Sequence, residues 1–498
     1  MSTGWTKEQL MAINTRGSNL LVSAAAGTGK TAVLVARIIS LISNEQHPVD
    51  IDRLLVVTFT NAAAAEIRSR INEAINDKLS ENPHSRHLRR QSNLLNRSSI
   101  STLHSFCLNV LRQYFHRVGL DPAVRVADED EAALLRTAAC DELFERCYDS
   151  RDNTAFTMLV DCYGGARDDS ALQDMVLRLY DFARSTPDPQ GWLHSAAAAF
   201  CLSPRTGMED LPWAGILKQF IACELGAVLQ MIKSAMHLSS RPGGPAAYLE
   251  TLQNDLGQVQ RLEHYCNCQW EELQEAFGNL TFAPLSRVGK EVDEELKNQV
   301  RTLREKARKK MTGLASTFFS RSPAEYLAEI NLIAPLIKEL AQLVLDFEEI
   351  YRQAKSSRGL VDFSDLEHYA LQILGLPCAG TGRLTPSDIA LEFREQFVEV
   401  LIDEYQDINA VQEVILMLVS RQGEAMPNLF MVGDVKQSIY RFRLAEPGLF
   451  LAKQKSYISL TGDRFKENEM SCSETCLPVC RLPAPVARQA GAGTGRRA

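Results

Sequence analysis

The sequence predicts an α/β fold, a parallel sheet covered by helices and split by a large all-helical insertion. Three observations carry that expectation. The first hundred residues alternate short apolar runs with helical stretches, the pattern of a parallel sheet. From about 117 to 340 strand signals nearly vanish and helical periodicity dominates. Apolar runs of strand length then return at Phe397–Ile402 and Asn428–Val432. The economical reading is one sheet domain made of residues 1–116 and 341–460, with its later strands rejoining the early ones. Residues 117–340 form the insertion and residues 461–498 an aberrant or disordered tail.

The first strand is expected at Leu20–Ser23, followed by Ala24-Ala25-Ala26-Gly27-Thr28-Gly29-Lys30-Thr31 and a helix from Ala32. Strand, glycine-containing loop and helix is the order that wraps a nucleotide's phosphates. Backbone N–H groups of the loop and the positive end of the helix face the anion. Lys30 would reach the β- and γ-phosphates of ATP, and the Thr31 hydroxyl would sit on Mg²⁺. Ala24 stands where the usual pattern has its first glycine. The competing reading is an ordinary strand–turn–helix with a surface lysine, which leaves the flanking pattern unexplained.

A second strand at Arg53–Thr60 leads into a helix from about Asn61, and a third at Ser99–Leu103 into a helix through about Arg112. Phe59, Thr60 and Asn61 put a ring and small polar groups at a helix start, suited to a base and a phosphate. His104 and Ser105 offer a donor pair for a backbone phosphate, although a lone histidine is more often structural.

Within the insertion, Leu135, Ala139, Leu143 and Cys147 recur every fourth residue behind the acidic start Asp128–Glu131. Breakers at Ser185–Pro189 and Arg241–Pro245 read as loops. Lys297, Arg301, Arg304 and Arg308 fall on one helix face that would touch duplex phosphates. A solvated charged helix is the commoner explanation of such a face, and Glu294, Glu295 and Glu305 dilute it.

Asp403-Glu404 closes the strand ending at Ile402. Asp403 would meet the metal through water, and Glu404 would act as general base toward an attacking water. Alone the pair is usually a solvated turn; beside a phosphate loop it is a strong signal. After the last strand, Gln437 offers an amide able to sense a γ-phosphate. Tyr440, Phe442 and Arg443 mix rings and positive charge, the combination that stacks bases and grips a strand.

Composition sets outer bounds. With 498 residues, 45% hydrophobic and 23% charged, the chain has the make-up of a soluble globular protein of two to four domains. No apolar run is expected to approach the roughly 20 residues needed to span a bilayer, and the N-terminus lacks the pattern of a signal peptide, so a cytoplasmic setting is expected. Twelve scattered cysteines then imply thiols rather than disulfides. The net charge of −8 decides nothing about nucleic acid. Cys472, Cys476 and Cys480 lack a fourth ligand nearby and do not read as a metal site.

Taken together, Trp5–Gln9, Ala24–Thr31, Thr58–Ala64, Thr102–Phe106, Asp362–Leu366, Asp403–Asp407 and Gly433–Arg443 resemble the ordered motifs of superfamily 1 DNA helicases of the UvrD/RecB type. With Leu444–Gly448, the resemblance is greatest to the AddA branch of helicase–nucleases. It covers roughly residues 4–460. The resemblance implies a RecA-like P-loop NTPase sheet domain and an ATP-driven, 3′-to-5′ DNA helicase of double-strand-break repair. Gln9 would read adenine, and the Ala24–Thr31 loop would bind Mg²⁺–ATP. Lys30, Thr31, Asp403, Glu404 and Gln437 would carry hydrolysis. Phe59, Thr60, Asn61, His104, Ser105, Tyr440, Phe442 and Arg443 would line the path of single-stranded DNA near a duplex junction. An AddB-like subunit is the implied partner and the insertion an accessory domain.

The resemblance also implies a second motor lobe, opening on an Asn-x-Arg-Ser-like stretch, and a nuclease domain. Arg464–Asn468 departs from that stretch, so a truncated or frameshifted chain is expected. Arginines of the second lobe would supply about 10³–10⁵ in rate. A non-catalytic ATP- or DNA-binding module is therefore the alternative. An unrelated P-loop enzyme, such as a small-molecule kinase, ranks last because it leaves the strand-end motifs unexplained.

Overall fold

A computed structural model describes the chain except residues 1–3, 26, 45, 166–167, 290, 379–382, 460–478 and 482–498. Its centre is a parallel sheet of five strands: β1 (Leu20–Ser23), β2 (Leu54–Thr58), β3 (Ser99–Thr102), β4 (Glu399–Ile402) and β5 (Leu429–Gly433). Their spatial order is β1-β5-β4-β2-β3. The two late strands thus lie between the first two early ones. Leu20 stands beside Phe430, Val400 beside Leu429, Leu54 beside Glu399 and Leu55 beside Ser99.

Both faces of the sheet are covered, which is why β1, β2, β4 and β5 read as near-continuous apolar runs, while the edge strand β3 alternates. Leu21, Leu55, Val57, Val400, Ile402 and Met431 pack on one side with the helices Leu103–Tyr114, Phe363–Leu374 and Ala410–Val419. Leu20, Val22, Val56, Leu401, Phe430 and Val432 pack on the other with Lys30–Ile42 and Asn61–Glu81. Helix starts are fixed locally. The hydroxyls of Thr60 and Thr102 accept from the amides of Ala63 and Ser105, at 3.1 and 3.2 Å, as N-caps do. Since all five strands run the same way, the segments after Ser23, Thr58, Thr102, Ile402 and Gly433 open on a single edge, where ligands of such sheets bind.

The described residues form two compact units. One comprises Met1–Asp149, Gln173–Gln190 and Val344–Ala498, the other Ser150–Leu172 and Gly191–Leu343. In the second, the helices Ala214–Ser239, Leu249–Tyr265, Trp270–Gly278 and Glu294–Phe318 enclose Ile221, Leu225, Val259, Trp270, Phe277 and Met311.

One sequence expectation changes here. Ala214–Ser239, at 26 residues, is long and apolar enough to cross a membrane by length and composition. Its Ile221, Leu225, Val228 and Ile232 are buried in the core of this unit. Part of the basic stripe is engaged inside its own unit, while Arg301 stays exposed. Arg304 donates to the buried Asp255 carboxylate at 2.6 Å, Arg308 lies over the Phe282 ring at 5.5 Å, and Lys297 pairs with Glu294 at 2.9 Å. In the tail, Cys472 and Cys476 lie outside the described residues; Val479–Arg481 runs antiparallel beside β1, with Cys480 opposite Leu21.

Candidate functional site

The loop after β1 turns on two left-handed glycines, Gly27 at φ +76° and Gly29 at φ +85°, conformations open to residues without a Cβ. Ala24 has no such backbone requirement and is held by its amide on the Gly433 carbonyl at 3.1 Å, which accounts for alanine there. Thr28 folds back, its hydroxyl donating to the Ala25 carbonyl at 2.8 Å. Ala26 lies outside the described residues. No side chain caps the helix that begins at Lys30, so its first amides face the loop's concavity as donors for an anion.

Gln9 belongs to a capping box on the helix Lys7–Asn14, where its Oε1 accepts from the Thr6 amide at 2.9 Å. Its Nε2 donates to the Thr28 carbonyl at 3.2 Å, seating the side chain against the phosphate loop.

Three distant segments meet at Lys30. Its Nζ donates to Gln437 Oε1 at 2.9 Å and lies 3.5 Å from Glu404 Oε2. Gln437 in turn donates to Asp434 at 2.6 Å. Glu404 has a left-handed backbone (φ +52°), unusual for a residue with a side chain and costing about 1–2 kcal/mol. Gln406 holds it there, donating to Glu404 Oε2 at 2.8 Å and to Asp407 Oδ2 at 3.2 Å while accepting from the Asp434 amide at 2.9 Å. Gly433 has to be glycine, because a Cβ would stand 2.4 Å from Gln406 Oε1 and 2.9 Å from the Phe450 ring. Spacing did not single out Gln406; its only sequence signal was membership of the Asp403–Asp407 motif.

Asp403 is buried at the end of β4, its amide on the Val57 carbonyl at 2.9 Å. Burial, and then the neighbouring Glu404 charge, push its carboxyl up to about 6. Asp407 is pushed up to about 6 by the same two causes. Thr31 is half-buried in the first turn of the phosphate-loop helix. Among the described residues no group of three or more His, Cys, Asp or Glu side chains is disposed to hold a metal. One carboxylate and one hydroxyl, completed by phosphate oxygens and water, is a set that fits Mg²⁺. A cation would also relieve the cost of ionising the buried Asp403.

Beside this centre lies a cavity of about 1160 Å³ whose walls include Phe59, Thr60, Asn61, His104, Ser105, Asp403, Glu404, Phe442 and Arg443. Tyr440 is outside its wall but packs on Phe59, ring centroids 4.3 Å apart. The Arg443 guanidinium stands 5.7–5.9 Å from the rings of Phe59, Tyr440 and Phe442. Phe442 is 75% exposed, an unusual state for a large ring and one open to stacking. The Ser105 and Thr102 hydroxyls are hydrogen-bonded at 2.9 Å. His104 Nε2 lies 3.0 Å from the buried Glu367 carboxylate, and the Phe363 ring meets His104 edge-on at 5.3 Å. Neither Phe363 nor Glu367 was given a role from sequence; Phe363 sits in the Asp362–Leu366 motif, and Glu367 carries no signal of its own.

The comparisons agree in direction. The family model described as UvrD/REP helicase N-terminal domain matches residues 5–458. The chain is 54% identical to the A subunit of the ATP-dependent helicase/nuclease of Pelotomaculum thermopropionicum, over 93% of its own length and 36% of that protein's. It is 50% identical to the protein of that name from Desulforamulus reducens, over 91% of the chain and 36% of the relative. With the Geobacillus kaustophilus protein of the same name it shares 49% identity, over 91% and 37%. The chain thus spans little more than a third of the length of the curated relatives it matches.

Proposed function

This chain belongs to the UvrD/REP helicase family, and on that premise we propose that it carries the ATP- and DNA-binding part of an ATP-dependent DNA helicase. It would move 3′ to 5′ along one strand and part the duplex at the junction, within a cytoplasmic helicase–nuclease of double-strand-break repair that has an AddB-like partner. Residues 1–116 and 341–460 are read as the first motor lobe and 117–340 as its accessory insertion.

The observation that carries this reading is the convergence of Lys30, Glu404 and Gln437 within 3.5 Å at the phosphate loop. When bound, Mg²⁺ would neutralise phosphate charge. Thr31 and Asp403 would hold it. Lys30 would exchange Glu404 and Gln437 for phosphate oxygens. Glu404, released but still tied to Gln406, would accept the proton of the attacking water. Gln437 would take its second partner from the γ-phosphate. Phe59, Tyr440 and Phe442 would stack bases, with Thr60, Asn61, His104, Ser105 and Arg443 on the strand's backbone.

Titration with a fluorescent ATP analogue, with turnover measured with and without single-stranded DNA, tests this. Lys30→Ala should weaken ATP binding about 10- to 150-fold, the range of a lost charge-assisted hydrogen bond. DNA-stimulated turnover by the wild type supports the motor reading. Binding of ATP and DNA without turnover favours the binding module instead. A wild type that binds neither overturns both.

A further inference from the structure

Glu367 is among the most deeply buried acids of the sheet unit, 4% exposed, yet among the described residues it faces no lysine or arginine in an ion pair. Its Oε1 receives His104 Nε2 at 3.0 Å and Gln412 Nε2 at 2.6 Å, and its Oε2 receives Asn409 Nδ2 at 3.4 Å. A carboxylate so placed is costly unless donors saturate it. Burial pushes the group up, but the donors His104, Gln412 and Asn409 outweigh it and hold the carboxyl below its ordinary range.

The three donors come from two functionally different places. His104 stands at the start of the helix after β3 and lines the cavity that also holds Phe59 and Phe442. Asn409 and Gln412 belong to the capping box of the helix Ala410–Val419, where Asn409 Oδ1 accepts from the Gln412 amide at 2.8 Å. That cap follows directly on the single turn Tyr405–Asp407, which Gln406 ties to Glu404. Few soft links interrupt the route. Glu404 is bonded to Gln406, the turn runs into the cap, the cap is bonded to Glu367, and Glu367 is bonded to His104. A shift of Glu404 when Lys30 changes partners would carry the cap with it, and so move the anchor of His104.

We propose that Glu367 is a positioning residue that couples the nucleotide centre to the nucleic-acid cavity, by tying His104 to the helix cap that follows Glu404. This rests on the functional reading above. The coupling is a linkage free energy: occupancy of one site changes affinity at the other by one common factor. Glu367→Leu removes the acceptor from all three donors. Glu367→Gln keeps an acceptor oxygen but places an amide against the Asn409 amide, which the cap prevents from turning over. Gln412→Ala cuts only the nucleotide-side link and leaves His104 its carboxylate.

The test is fluorescence anisotropy of a labelled oligo-dT with the full 498-residue chain, with and without a magnesium–nonhydrolysable ATP analogue, alongside titration of that analogue alone. In the wild type the analogue should change oligonucleotide affinity by at least about fivefold, the lower end of measured couplings. In Glu367→Leu that factor should fall to about one, in Glu367→Gln and Gln412→Ala to between one and the wild-type value. Analogue affinity should stay within about twofold in all three, which also certifies that Glu367→Leu is folded; if it is not, Gln412→Ala decides. A wild-type factor kept in Gln412→Ala and in a folded Glu367→Leu overturns the proposal and leaves the function standing. So does a wild type that binds both ligands without linkage. A wild type that binds neither ligand overturns the functional reading itself.

Discussion

Replacing Arg37 by methionine is expected to damage the half of the sheet that carries the Ala24–Thr31 loop. Arg37 is fully buried on the phosphate-loop helix, its Nε donating to Glu399 Oε2 at 2.9 Å and a second nitrogen to Glu399 Oε1. It also donates to the Ala12 carbonyl and stands 4.5 Å from the centre of the Phe430 ring. One side chain thereby joins the helix carrying Gln9, the helix beginning at Lys30 and the strand that delivers Asp403. Two effects compete in Arg37→Met. Methionine retains most of the packing and avoids burying a charge, but it strands the Glu399 carboxylate, which is 6% exposed. Breaking one side of a buried pair costs about 3–5 kcal/mol, so the stranded carboxylate wins. Against a typical stability of about 5–15 kcal/mol that is a large fraction. The paired change Arg37→Met with Glu399→Leu removes both charges and should recover most of the loss. Urea unfolding of the wild type, both single variants and the double variant gives the coupling directly. A loss under about 1 kcal/mol for Arg37→Met refutes the reasoning, as does a double variant whose loss equals the sum of the singles.

Two further outcomes are expected. The Asp403 carboxyl keeps its proton to about pH 6 in the folded chain but loses it near its ordinary value of 3.8 when unfolded. The folded state binds more protons between those values, so stability falls as pH rises from about 4 to 6; the difference is about 3 kcal/mol. Asp403→Asn should remove its own share of that slope and leave the share of Asp407, raised to about 6 as well; it should be the more stable protein at pH 7 and lose magnesium-dependent nucleotide binding, which unfolding midpoints across pH and a magnesium titration would check. Gly433→Ala should cost about 2–4 kcal/mol, from overpacking against Phe450 and loss of the Gln406 bond to the Asp434 amide. An unfolding midpoint like that of the wild type would contradict the close approach at Gly433.

Much of the site was legible because its chemistry is local. A phosphate loop needs its glycines, lysine and threonine in consecutive positions, and each strand-end motif follows its strand without interruption. That is why Lys30, Glu404, Gln437, Phe59 and His104 were named from sequence. Their partners were harder. Gln406 and Glu367 matter through what they hold, and a hydrogen bond between residues 104 and 367 leaves no trace in spacing. The basic stripe on Glu294–Phe318 shows the same limit. Periodicity put its cations on one face but could not reveal that Asp255, from another helix, neutralises Arg304.

Fold class and the chemical types at each strand end were readable in the chain alone, because backbone propensity, apolar periodicity and turn chemistry act over neighbouring residues. The strand order β1-β5-β4-β2-β3 is visible only in the folded chain, since runs buried on both faces carry no pattern that names their neighbours. That order sets β4 and β5 beside β1 and so brings Glu404 and Gln437 to Lys30. Folding also decided which charges are spent inside the protein and which remain for a ligand, because that depends on groups hundreds of residues apart competing for the same few ångströms.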